Sequence, residues 1–74
     1  MSSEELVELD SLSHRQREIL ELVAQGLSNA QIAKKLFLTE STVKQHLRAA
    51  YKLLGVRNRT EAASIVRKTH DNGQ

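Results

Sequence analysis

The chain has 74 residues and contains neither cysteine nor proline. Without thiols there is no disulfide framework, no thiolate zinc site and no cysteine nucleophile. Without proline, and with helix formers abundant, the pattern points to helices rather than long strands. Phe37 and Tyr51 are the only aromatic residues, too few for a platform that stacks single-stranded bases. No apolar run approaches the ~20 residues that span a bilayer. The start, Met1-Ser2-Ser3-Glu4-Glu5, is acidic and lacks the charged-then-apolar order of a secretory signal. A cytoplasmic protein is the default. The length suits one domain, close to the lower limit at which a packed core alone holds a fold.

The charge is present but uneven. The formal net charge is only +2. Residues 1–22 carry six acids against two bases, whereas residues 34–68 carry nine bases against two acids. A basic C-terminal half on a small chain suggests a polyanion as partner. A lopsided but merely solvated surface is the competing reading.

Helix boundaries are written in the caps. Ser13-His14-Arg15-Gln16 and Ser28-Asn29-Ala30-Gln31 both have the form S-x-x-Q, a capping box in which Ser serves the N3 amide and Gln reaches back to the cap. Thr39 is a simple N-cap for a third run, and Asn58-Arg59-Thr60-Glu61 is a variant box for a fourth. Gly26-Leu27 and Gly55-Val56 each place glycine where the chain needs positive φ, followed by an apolar residue that folds back on the last turn. Helices are expected at about 14–25, 29–36, 40–54 and 59–69, with residues 1–10 as an acidic flexible tail and 70–74 frayed. The expected core draws on Ile19, Leu20 and Val23, with Leu12 and Leu27 beside them, on Ile32, Ala33 and Leu36, and on the stripe Val43, Leu47, Ala50, Tyr51 and Leu54. The fourth helix offers only Ala62, Ala63, Ile65 and Val66. The fold class is all-α, a four-helix bundle in a single domain over about residues 11–70.

The second and third helices are joined by Phe37-Leu38-Thr39 alone. So short a link forces a steep crossing, as in a helix-turn-helix over about residues 29–48. An ordinary αα-hairpin would serve as well, but it predicts no special polar face on the third helix. That helix has one. Opposite its apolar stripe lie Ser41, Gln45, Arg48 and Lys52, with Ala49 among them and Lys44 at the edge. Acid is confined to Glu40 in the first turn, where a merely solvated helix would mix signs along its length. Arg and Lys can donate to guanine and Gln can read adenine. Hydroxyls at a helix start, here Thr39, Ser41 and Thr42, suit phosphate. An α-helix enters the B-DNA major groove but not the deep groove of A-form RNA, which favours duplex DNA.

The runs 12–20, 26–33, 36–47 and 52–62 together resemble the LuxR/NarL-type (GerE-like) DNA-binding domain. The specific elements are Thr42-Val43-Lys44 with His46, combined with Gly55-Val56, Asn58-Arg59-Thr60 and Ala62. The resemblance covers about residues 10–70. It implies a bacterial transcription regulator that binds promoter DNA as a homodimer in the cytoplasm, associated with the nucleoid when bound. The third helix would enter the major groove, with Lys44, Gln45 and Arg48 facing bases. Asn29, Thr39, Thr42, Lys52, Arg57 and Arg59 would lie near phosphates, with Ser41 beside them. The fourth helix would form the dimer contact through Ala62, Ala63, Ile65, Val66 and Thr69, and RNA polymerase is a further possible partner. Gln16 departs from the Glu usual in the family, which removes that carboxylate but keeps the capping box.

The thin fourth helix supports a dimer independently, since its small residues allow close approach; closing the monomer core is the other use for them. His14, His46 and His70 share no metal-ligand spacing, and Ser13-His14 has no third partner for a triad. No Gly-rich phosphate loop is present. The expectation is therefore a non-enzyme with no cofactor, no metal and no small-molecule ligand. A sigma-factor region 4 would be similar but would stop near Leu54. A protein-interaction module, dimerising with a longer regulator through the fourth helix, is the reading from a different class.

Overall fold

A computed structural model describes residues 12–72, and their side chains as far as residue 68. The tail expected over residues 1–10 lies outside this range. The described residues form four helices: α1 (His14–Ala24), α2 (Asn29–Leu36), α3 (Glu40–Leu54) and α4 (Arg59–Asn72). The last runs three residues beyond the end expected at residue 69, into the stretch expected to fray.

Each helix begins where a side chain satisfies its free N–H groups. Ser13 and Ser28 both complete full capping boxes. The Gln16 and Gln31 amides donate to the serine Oγ atoms at 3.1 Å, and the Gln side chains accept from the Ser13 and Ser28 N–H groups at 2.9 and 2.8 Å. Thr39 Oγ1 accepts from the Thr42 amide at 3.1 Å. The fourth box is displaced by one residue. Asn58 Oδ1 accepts from the Glu61 amide at 2.9 Å, but the Glu61 carboxylate accepts from the Arg57 amide, at 2.7 Å, instead of from the cap residue itself.

The helix ends share one device. At Gly26 (φ 95°) the Leu27 amide donates back to the Leu22 carbonyl at 3.1 Å, and at Gly55 (φ 71°) the Val56 amide donates to the Tyr51 carbonyl at 3.0 Å. The end of α2 repeats it without glycine. Phe37 takes the left-handed conformation (φ 60°) and the Leu38 amide donates to the Ala33 carbonyl at 2.8 Å. In all three places the residue after the turn (Leu27, Leu38, Val56) packs onto the core.

Helix α1 is the hub, packing against α2, α3 and α4, while α2 packs on α3. Ile19, Leu20, Ile32 and Val43 are fully enclosed at the centre, and Leu22 joins them from the face of α1 that the periodicity had not assigned to the core. Leu47 and Ala50 extend the α3 stripe inward, with Tyr51 and Leu54 half-buried at its end. No helix among the described residues is long and apolar enough to cross a membrane.

Candidate nucleic-acid interface

The amphipathic division of α3 determines what it shows to the outside. With Val43, Leu47 and Ala50 buried, Ser41, Lys44, Gln45, Arg48, Ala49 and Lys52 are all exposed. Among the described residues, no side chain forms an ion pair or hydrogen bond with Lys44, Gln45, Arg48 or Lys52. Three cations and an amide on one surface thus keep their donors for an external acceptor. The expected base-facing residues Lys44, Gln45 and Arg48 share this face with Lys52, expected at phosphate.

The start of α3 adds hydroxyl donors. Thr39 Oγ1, while accepting from the Thr42 amide, donates to Thr42 Oγ1 at 3.0 Å. Thr42 thereby accepts, and keeps its own hydroxyl hydrogen for a further acceptor. The free N–H groups of this first turn reinforce the preference for an anion.

The remaining phosphate candidates fall into two groups. Arg57 is exposed between α3 and α4. Arg59 and Asn29 instead meet each other. Arg59 Nη1 donates to Asn29 Oδ1 at 2.6 Å, and Nη2 donates to the Leu27 carbonyl. The half-buried guanidinium joins the start of α4 to the start of α2. Its positive charge also reaches Tyr51, whose phenol is pushed up by burial and pulled partly back by Arg59. Pattern reading missed this pairing because the partners lie thirty positions apart; the signal was a basic residue inside the variant capping box.

The dimer residues expected on α4 differ in how far the single chain encloses them. Ala62 is 0%, Ala63 7% and Val66 8% exposed in the single chain. All three are part of the hydrophobic core, so within the single chain they close the fold and leave little surface for a second copy. Ile65 alone of the apolar set stays half-exposed, and the side chain of Thr69 lies outside the described residues. Arg67 fastens the same helix inward, its Nη2 donating to the Ala24 carbonyl at 3.3 Å, where the C-terminal end of α1 favours a cation. Phe37, at the turn between α2 and α3, is 95% exposed, and no motif had marked it.

A short link between α2 and α3, with a donor-rich outer face on the second of them, defines a helix-turn-helix domain. Residues 10–66 match the model of the bacterial regulatory proteins of the luxR family. The chain belongs to this family and carries its helix-turn-helix DNA-binding domain, a four-helix, non-enzymatic unit. It is 49% identical over 53 residues to the CsgBAC operon transcriptional regulatory protein of Escherichia coli K12, covering 72% of this chain and 24% of that protein. It is 46% identical over 56 residues to the nitrate/nitrite response regulator protein NarL of the same organism, covering 76% of this chain and 26% of NarL. The transcriptional regulatory protein LnrK of Bacillus subtilis matches at 46% over 56 residues, with the same two coverages of 76% and 26%. The chain spans about a quarter of the length of these relatives.

Proposed function

We propose that the chain recognises double-stranded promoter DNA in a sequence-specific way, as a homodimer with α3 in the major groove. The observation that carries this reading is the set of exposed, unengaged donors on one face of α3, Lys44, Gln45 and Arg48 toward bases with Lys52 and Ser41 toward phosphates; Thr39 and Thr42 at its start, Asn29 at the start of α2 and Arg57 after α3 would add phosphate contacts around it. Arg59 acts behind them, through Asn29. The similarity to transcriptional and response regulators supports the same role.

In this reading the two copies meet along the part of α4 that the core leaves accessible. That part centres on half-exposed Ile65, with Ser64 and Lys68 beside it. It is a small and mostly polar surface, so association is weak in solution and completed on DNA. A two-fold arrangement would place the two α3 helices about one DNA turn, or ~34 Å, apart.

The test is selection of bound sequences from random duplex DNA at two salt concentrations. The expected result is an inverted repeat with half-sites about one turn apart, bound more weakly at high salt. Salt-sensitive binding without enrichment would mean phosphate contact alone and would overturn sequence-specific recognition. No binding at low salt would turn attention to a protein partner such as RNA polymerase or a longer regulator.

A further inference from the structure

We infer that Arg59 is a positioning residue for DNA binding: by holding Asn29 through Oδ1, it presents Asn29 Nδ2 to a backbone phosphate at the start of α2. This rests on the reading of the chain as a binder of duplex DNA. Chemistry sets the orientation of the amide. A guanidinium has donors only, so the Asn29 atom 2.6 Å from Arg59 Nη1 is the carbonyl oxygen. Nδ2 then lies on the other edge of the planar amide, and no acceptor among the described residues takes its hydrogens.

Position adds to this. Asn29 is the first residue of α2, half-exposed, directly after the Ser28 cap. The helix dipole and the free N–H groups there favour an anion. Arg59 is itself held at a second point by the Leu27 carbonyl, so the guanidinium forms a fixed strut between two helix starts. An unpinned asparagine would lose rotameric freedom on meeting DNA. Pinned in advance, it loses less, and affinity rises accordingly.

An arginine beside a helix start could instead touch phosphate directly, and salt separates the two roles. A cation that neutralises one phosphate contributes about 0.9 to the slope of log affinity against log salt, whereas a neutral amide contributes none. The experiment titrates a short random-sequence duplex at several salt concentrations with the parent chain, Asn29→Ala, Arg59→Gln and the double variant. Thermal melting checks that each is folded. Arg59→Gln is expected to weaken binding about fivefold in the parent, as for loss of one good hydrogen bond, with the salt slope kept. In the Asn29→Ala background the same change should have little further effect, and Arg59→Lys should recover part of the loss.

Equal losses in both backgrounds, a slope lowered by about 0.9, or no loss at all would overturn the inference. If Arg59→Gln does not fold, Arg59→Lys compared in the same two backgrounds decides it: a loss confined to the parent supports positioning, and equal or absent losses overturn it. A parent chain that binds no duplex at low salt removes the DNA reading and this inference together. A binding parent with an additive cycle removes this inference alone.

Discussion

Helices α3 and α4 are nearly equal in length, 15 and 14 residues, yet the core leaves them very different outer surfaces. In α3 the apolar stripe is wide enough to bury Val43, Leu47 and Ala50, and everything opposite is free. In α4 the few apolar residues are small, and Ala62, Ala63 and Val66 are all enclosed by the monomer. A helix is available to a partner only through what its second face carries once the first has been buried. For α3 that second face is cationic and unengaged; for α4 it is Ile65 among polar neighbours.

The sharpest way to test this contrast is across α3 itself. Leu47→Ala should destabilise the fold by about 2–5 kcal/mol, because it opens a cavity at a site 4% exposed. Its neighbour Arg48 is exposed, so Arg48→Ala should leave stability within about 0.5 kcal/mol and still weaken binding of a selected duplex by about 1–3 kcal/mol. Denaturant unfolding and duplex titration of both variants check the pair. Equal stability effects would mean that the two faces of α3 are not separated as described.

On α4 the expected effect is smaller and opposite in kind. Ala62 has no room around it, so Ala62→Leu should overpack the core and cost about 1–3 kcal/mol. The loss should be the same at every protein concentration. A loss that appears only where copies associate would place Ala62 at an interface between them.

The same contrast explains what could be read from sequence. Local chemistry was legible: the Ser13, Ser28 and Thr39 caps and the two glycine ends act within five residues, and each is found where expected. The outer face of α3 was legible because a period of 3.6 separates its two sides unambiguously. The burial of Ala62 and Ala63 was less so, since a small apolar residue suits a core and an interface equally well and both uses stayed open. Nor was the Arg59–Asn29 contact, which depends on two helix starts meeting across the fold. Leu22 was missed because α1 is enclosed on more than one side, by three helices, and a single-stripe reading undercounts such a hub.

The turn after α2 gives the smallest effect, set against the turn after α3. Both reverse the chain through one residue of positive φ, Phe37 at 60° and Gly55 at 71°. A side chain in that conformation costs roughly 1–2 kcal/mol from the clash of Cβ with the backbone, a cost that glycine escapes. The Phe37 ring is almost wholly solvent-exposed and contributes little burial in return. Phe37→Gly should therefore raise stability by about 0.5–1 kcal/mol, the strain relieved less the greater flexibility of glycine in the unfolded chain. The mirror change is Gly55→Ala. A Cβ built there meets no heavy atom within 4 Å, so crowding is absent and the backbone angle alone should lower stability by about 1 kcal/mol. Thermal melts of the two variants should shift in opposite directions. A melt lowered by Phe37→Gly would show that the ring supports the turn through contacts that outweigh its strain.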